Sequence, residues 1–170
     1  MHEVSVEKVI SVPAERAWAA LDEFGRVSEY NPHVATSEII AGPETGVGAT
    51  RECVFEDGGR IEEEIIEYSP GTNYTVEFVD VGSMPLKRNR VQISVEERGD
   101  AAAVTMAAAF EPKYGFLGTV LAKLMMESRF RQTFEEVLDG LEAYVVADRD
   151  DRSETDREDA ETDRTDVPSA

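Results

Sequence analysis

The sequence predicts an α+β fold: a seven-stranded antiparallel sheet curved around one long C-terminal helix, with two short helices after the first strand. Three observations predict it. First, residues Phe116 to Val145 contain no proline, and Val120, Leu124, Phe130, Phe134, Val137, Leu138, Leu141 and Val145 recur at three- and four-residue steps. That spacing gathers them on one side of an α-helix. Second, seven earlier stretches alternate apolar and polar residues, the period of a strand with one covered face. Third, compact turn signals such as Asp57-Gly58-Gly59, Ser69-Pro70-Gly71 and Gly99-Asp100 separate those stretches, so consecutive strands become hairpin neighbours.

In order, His2 to Val12 is the first strand, with Val4, Val6, Ile10 and Val12 on one face and Lys8 interrupting them. Pro13 ends it and can open a helix. Ala14 to Phe24 then offers Ala17, Trp18 and Leu21 as an apolar face, which makes Trp18 a core residue, and Gly25 stops that helix. Arg26 to Asn31 forms a second short helix closed by Pro32. Val34 to Ala41 is the next strand, and glycines at 42, 46 and 48 bracket the turn region after it. Ala49 to Glu56 sets Arg51, Cys53 and Phe55 against Glu52, Val54 and Glu56, and Arg60 to Tyr68 returns from it with Ile61, Glu63 and Ile65 on one face. Tyr74 to Val81 carries Tyr74, Val76 and Phe78 on one side, and Leu86 to Glu97 follows. Ala101 to Phe110 is rich in alanine, which leaves room for a helix or a ligand to lie close.

The last residues differ from the rest. Asp148 to Ala170 holds ten acids, four arginines and no aromatic side chain. Such a stretch buries too little surface to offset its chain entropy. The expected organisation is one domain over 1–146 and a disordered, solubilising acidic tail over 147–170. The formal charge of the whole chain is −19. Repulsion from phosphate makes nucleic acid and anionic membrane surfaces improbable partners. Only Lys8, Lys87, Lys113 and Lys123 are lysines, and carboxylates are abundant. That surface fits adaptation to high intracellular salt, where charge is screened. Cys53 is the single cysteine, so an intramolecular disulfide and a cysteine zinc site are both excluded. No basic segment with an apolar run opens the chain, and no apolar stretch is long enough to span a bilayer. The expected location is the cytoplasm.

Phosphate-loop and dinucleotide signatures are absent, and two histidines, His2 and His33, are too few for a metal site, so neither metal nor cofactor is expected. His33 reads as a loop residue and Cys53 as a packed thiol. The remaining signal is polar residues on faces that point inward. If Cys53 and Phe55 face in, so does Arg51; if Ile61 and Ile65 face in, so does Glu63. An inward Arg and Glu on neighbouring strands would pair, because an isolated buried charge is too costly. A slip of one residue in register would place them outside instead. Asn89 and Gln92 pose the same question. On the long helix, Glu127 and Arg131 are four apart with the acid first, the favourable order for an ion pair. They are either a solvated pair at the edge of the apolar stripe or polar groups lining a cavity.

The succession of elements, with Val9-Ile10-Ser11-Val12-Pro13-Ala14-Glu15-Arg16-Ala17-Trp18 at the first strand-to-helix junction and Tyr30-Asn31-Pro32 after the short helices, resembles the START-like, helix-grip superfamily. It is also called Bet v 1-like, or SRPBCC. Gly46-Val47-Gly48-Ala49-Thr50-Arg51-Glu52, Asp57-Gly58-Gly59 and Glu63-Glu64-Ile65 are similar to its polyketide cyclase/dehydrase branch, a layout that plant abscisic-acid receptors share. The resemblance spans residues 3 to 146. It implies a deep apolar cavity between sheet and helix, with a mouth framed by the loops Phe55–Arg60 and Val81–Leu86. Those loops correspond to the receptors' gate and latch, but neither receptor loop sequence is present. Glu63 falls where the family carries a cavity glutamate, and Asn89 where it carries an asparagine.

The implied ligand-binding set is Arg51, Cys53, Phe55, Glu63, Ile65, Tyr74, Phe78, Asn89, Val120, Leu124, Glu127, Arg131 and Phe134. The expected function is binding or transport of a small hydrophobic ligand, such as a lipid, an isoprenoid or a polyketide-like compound. The alternative is a cyclase or dehydratase with Glu63 or Glu127 as general base and Arg51 or Asn89 steadying an enolate. A third reading is a protein-interaction module acting through the tail or an apolar patch.

Overall fold

The computed structural model describes residues 2–82, 86–113 and 119–165, with side chains over 2–82, 86–111, 113 and 124–148. Strand β1 is His2–Ile10, helix α1 is Ala14–Asp22, and a 3-10 segment follows at Phe24–Glu29. The remaining strands are β2 Val34–Ala41, β3 Thr50–Phe55, β4 Arg60–Ser69, β5 Asn73–Asp80, β6 Leu86–Arg98 and β7 Ala101–Pro112, and helix α2 is Thr119–Thr165. The seven strands form one antiparallel sheet in the order β1-β7-β6-β5-β4-β3-β2. Every pair except β1–β7 joins strands adjacent in sequence, as the succession of tight turns dictates.

Pro13 begins α1 with φ −56°, and Ala17, Trp18 and Leu21 form its buried face. The second short helix starts earlier than expected, at Phe24 rather than Arg26. Glu23 separates it from α1, and Gly25 lies inside it, where a β-carbon would come within 3.1 Å of Ile39. Phe24 is thereby turned into the core, 1% exposed. Strand β1 stops at Ile10, because Val12 N–H bonds back to the Ile10 carbonyl at 2.8 Å.

Alternation sorts the sheet into two faces. On the inner face, β6 buries Asn89, Val91, Ile93 and Val95 while Arg88, Arg90 and Gln92 stay exposed. On β7, Ala102, Val104, Ala108 and Phe110 are buried. Helix α2 lies across this face with Phe134, Val137, Leu138, Leu141 and Val145 buried. Lys8, which breaks the apolar face of β1, reaches α2 and pairs with Asp139 at 2.5 Å and Glu142 at 2.8 Å. Helical backbone continues beyond Val146 to Thr165, whereas composition predicted disorder there. Extending a helix already nucleated by packing adds one hydrogen bond per residue fixed, which lets a polar run continue one that it could not start. No helix among the described residues is long and apolar enough to cross a membrane.

Candidate functional site

A cavity of about 460 Å³ lies between the inner face of the sheet and α2. Hairpin register explains how its polar residues meet. The turn after Phe55 sets Arg51 opposite Glu63, and β4 and β5 then set Glu63 opposite Phe78. Past the last β5–β6 pair, Glu77 with Arg90, Asn89 of β6 faces Phe110 on β7. One row across β3 to β5 therefore reads Arg51, Glu63, Phe78.

The Arg51–Glu63 pair is buried, with the residues 6% and 7% exposed. Arg51 Nε and Nη2 each donate to Glu63 Oε2 at 2.7 Å, and Nη1 donates to the Phe24 carbonyl at 2.8 Å. The guanidinium also sits over the Phe24 ring, 4.0 Å from its centre, a favourable cation–π position. Burial works to lower the Arg51 pKa. The Glu63 carboxylate, with smaller effects from Cys53, Tyr74 and Tyr30, more than offsets this, and the pKa ends up raised. The pair is thus a fixed, charged clamp joining β3, β4 and the 3-10 segment.

Cys53 Sγ lies 3.8 Å from Glu63 Oε2. Burial, more than any neighbouring charge, pushes its thiol up to about 12. It is protonated at neutral pH and is not a nucleophile. Tyr30 and Tyr74 share a hydrogen bond between their hydroxyls, and burial raises both pKa values, that of Tyr74 well above the ordinary range. Tyr74 also meets Phe24 and Trp18 edge-on, with ring centres 5.9 and 6.1 Å away. The cluster is therefore neutral hydroxyls and one ion pair, set among aromatic rings.

Of the residues picked out by sequence, Arg51, Cys53, Phe55, Glu63, Tyr74, Phe78 and Phe134 line the cavity. Ile65 is fully buried in the core but does not line it. Asn89 is likewise buried and outside the lining. The side chain of Val120 lies outside the described residues. Leu124, Glu127 and Arg131 are not lining residues, which corrects the expectation for α2. Leu124 is 59% exposed, Glu127 is half-buried, and Arg131 is exposed with Nη1 3.4 Å from the Ser5 carbonyl of β1. The α2 residues that line the cavity toward the helix's earlier half are instead Arg129 and Thr133. Two residues along a helix is a turn of about 200°, so Arg131 and Thr133 face opposite flanks.

The cavity edge also contains residues that sequence reasoning passed over. Asn31, Pro32 and His33 form one lip, and Glu56 and Asp57 of the β3–β4 turn form another. His33 Nε2 stands 2.6 Å from Glu136 Oε2 on α2, and the His33 carbonyl accepts from Glu56 N–H at 3.1 Å. Of the two loops expected at the mouth, Phe55–Arg60 contributes lining residues; 83–85 of the other lie outside the described residues. Tyr30 lines the cavity too. Its sequence signal, Tyr30-Asn31-Pro32, marks a chain stop and says nothing about where the ring points. Among the described residues no cluster of His, Cys, Asp or Glu has the makings of a metal site.

The model of the family described as "Polyketide cyclase / dehydrase and lipid transport" matches residues 1–146. The chain belongs to that family. The polyketide cyclase/dehydrase and lipid-transport fold is shared with XoxI from Bacillus cereus, at TM-score 0.73 and 17% identity over 86% of this chain and 96% of that one. A START superfamily protein from Mycobacterium smegmatis is similar at TM-score 0.72 and 17% identity, over 86% and 99%. Norcoclaurine synthase from Thalictrum flavum, solved as a point mutant with a transition-state analogue, is similar at TM-score 0.66 and 14% identity, over 87% and 96%. Identities this low establish the helix-grip fold and leave chemistry to the site itself. The chain has no significant sequence match among curated proteins.

Proposed function

We propose that this family member binds a small, largely apolar molecule in the cavity and carries or sequesters it. The observation that carries this reading is the cavity of about 460 Å³, lined by Leu21, Val27, Ile61, Val76, Val91 and Phe134 among others, whose buried Arg51–Glu63 pair is already satisfied within the protein. Its size falls in the range that holds small ligands, about 300–1,000 Å³. The Arg51 contacts to Glu63 all fall on one oxygen of the carboxylate that a base mechanism would use. Lipids, isoprenoids and polyketide-like compounds fit such a cavity. The acidic surface supports a protein that stays soluble in concentrated salt and avoids nucleic acid, and a cytoplasmic location fits that charge.

The direct test is native mass spectrometry of protein purified in high salt, followed by organic extraction and uptake of palmitate, farnesol and 2-naphthol. A stoichiometric apolar adduct or uptake is the expected result. Bare protein that takes up none of the three overturns the reading.

A second reading is favoured by one arrangement: Glu63, Arg51, Tyr30 and Tyr74 line a single cavity. A cyclase or dehydratase would use Glu63 as base and Arg51 or a tyrosine hydroxyl to steady the enolate. Glu63→Gln separates the two. A carrier retains uptake in proportion to the folded fraction, with a stability loss of about 3–5 kcal/mol from the orphaned guanidinium. An enzyme retains binding and loses turnover far beyond that fraction.

A further inference from the structure

The lining residues that are also exposed, Pro32, Glu56, Asp57 and Arg129, mark the mouth of the cavity. There one side chain reaches from the lip to helix α2. His33 lines the cavity, and its Nε2 stands 2.6 Å from Glu136 Oε2. That nitrogen is closed to solvent, yet it makes no aligned hydrogen bond, so charge and not hydrogen-bond direction holds the ring to the carboxylate. The carboxylate is fixed from its other side, where Oε1 accepts from Gln132 Nε2 at 2.9 Å. The backbone beneath the ring is fixed as well: His33 N–H donates to Asn31 Oδ1 at 3.0 Å, and the His33 carbonyl accepts from Glu56 N–H. One helical turn past Glu136, the Tyr30 carbonyl and Pro32 Cδ lie against Gly140. Lip and helix are thus packed together at Gly140 and joined at His33–Glu136 by a contact that only the imidazole needs to leave.

We propose that the His33 imidazole is a shutter on the cavity mouth, held shut by Glu136 and swung aside to let a ligand pass. The hold varies with pH. Imidazole is the side chain whose charge changes between about pH 5 and 8, and the charged ring is the form that a carboxylate 2.6 Å away attracts. The other charged groups at the mouth are Glu56 and Asp57 on the β3–β4 turn and Arg129 on α2. The two acids favour the charged ring, and the arginine opposes it. The shutter is therefore shut in weak acid, where Glu136 keeps its charge, and loose in weak alkali. Both side chains of the contact are partly in water, 40% and 38% exposed, so the effect is several-fold and not larger. As a gate for cargo the shutter deepens the carrier reading and rests on it; as a gate for the cavity it stands on the contact alone.

Cys53 lines the same cavity and reports on access without any ligand. The full-length protein is treated with methyl methanethiosulfonate at pH 6 and pH 8, and the rate of Cys53 modification is compared with that in Glu136→Ala. Thiol ionisation changes with pH alike in both proteins, so the ratio of their rates reads access. Glu136→Ala is expected to react about fivefold faster than wild type at pH 6 and within about twofold of it at pH 8. His33→Ala keeps both backbone bonds and removes the ring itself, and it is expected to gain at least as much at pH 6. Lys8→Met breaks an ion pair on the same half of α2, and Lys8 does not line the cavity, so this variant is expected to stay within about twofold of wild type at both pH values. A Glu136→Ala ratio below about twofold at pH 6, a ratio equal at the two pH values, or the same gain in Lys8→Met, which would mean that the whole helix has loosened, overturns the shutter. Uptake of 2-naphthol is then expected to slow from pH 8 to pH 6 in wild type and not in Glu136→Ala; an uptake rate indifferent to pH overturns the shutter as a gate for cargo. Protein that takes up none of palmitate, farnesol and 2-naphthol, while Cys53 follows the expected pattern, overturns the carrier reading and leaves the shutter standing.

Discussion

Helix α2 is one continuous element with two unlike halves. From Phe134 to Val145 its apolar residues are core: Phe134, Val137, Leu138, Leu141 and Val145 are 4%, 4%, 1%, 0% and 2% exposed. Ten residues earlier, Leu124 and Met125 are 59% and 66% exposed, and the contacts to the sheet run through Phe130 and Phe110. The later half is pinned from three sides, by the inner face of the sheet, by Tyr30 just after the 3-10 segment and by Lys8 of β1. The earlier half is held less closely. The later half both completes the core and, through Phe134, Val137, Leu138 and Leu141, roofs the cavity. The difference shows that apolar side chains at helical spacing mark which face can be buried, while the elements packed against that face decide how much of it is.

The largest expected effect contrasts two leucines of that helix. Leu141→Ala removes a fully buried side chain and is expected to cost about 3 kcal/mol, within the spread for such core truncations. Leu124→Ala removes a side chain already mostly in water and is expected to change stability by less than about 0.5 kcal/mol. Urea denaturation with an unchanged m-value reads both. Equal losses at the two sites would mean that the halves of α2 are held alike. Gly140→Ala comes next. A β-carbon there would sit 2.0 Å from the Tyr30 carbonyl oxygen and 3.2 Å from its carbon, both backbone atoms. Alanine improves helix propensity by about 1 kcal/mol, yet the helix must back away from the 3-10 segment. A net loss of about 2 kcal/mol is expected, on the scale of overpacking. A gain in stability would show that the two elements touch less closely than this.

These contrasts also mark what could be read in advance. The strands were legible because alternation is local, and the Asp57-Gly58-Gly59 turn fixes which residue of β3 faces which residue of β4. Arg51 opposite Glu63 follows from those two facts, as does the requirement that they pair. Phe78 extends the same row, but that needs a further register, which is shifted by bulges in β4. Nothing in the sequence says that Asn89 lacks a partner, since a partner could come from any element. The flank of α2 was illegible for a related reason. Leu124, Glu127 and Arg131 lie close to the apolar stripe on a helical wheel, but Arg129 and Thr133 are the ones that line the cavity. Which flank is open depends on where the 3-10 segment and the β3–β4 turn stand, and periodicity carries no record of either.

The floor beneath the later half offers a chemical probe of its closure. Cys53 is 1% exposed, and burial holds its thiol near 12. An unfolded cysteine has a pKa of about 8.5, so at pH 8.5 the native thiolate fraction is lower by about a thousandfold. Iodoacetamide is therefore expected to label native protein at least a hundredfold more slowly than protein in urea. The sign of the linkage follows. The folded state holds its thiol proton more tightly, so this contribution to stability is complete below about pH 8.5 and is lost as pH rises toward 12. Rapid native labelling at pH 8.5 would show that the cavity floor is open to water and reagent.

The smallest effect belongs to the electrostatic pin of the same half. Lys8 pairs with Asp139 and Glu142, and hydrogen bonds to those two carboxylates raise its pKa above the usual lysine value. Its side chain is 29% exposed and that of Asp139 is 67% exposed, so solvent screens much of the attraction. Lys8→Met is expected to cost no more than about 1 kcal/mol, and less as salt is added. A raised lysine pKa gives stability that is fully present below about pH 10.4 and fades as pH rises through the folded value, so the wild-type and Lys8→Met curves should converge only in strong alkali. The salt response has two opposing parts. Screening weakens this pin, but it also relieves repulsion within a chain of net charge −19. Wild-type stability is therefore expected to rise with added potassium chloride while the difference between wild type and Lys8→Met shrinks. If the difference grows with salt instead, the side chain works by packing its methylenes between β1 and α2, and its charge is incidental.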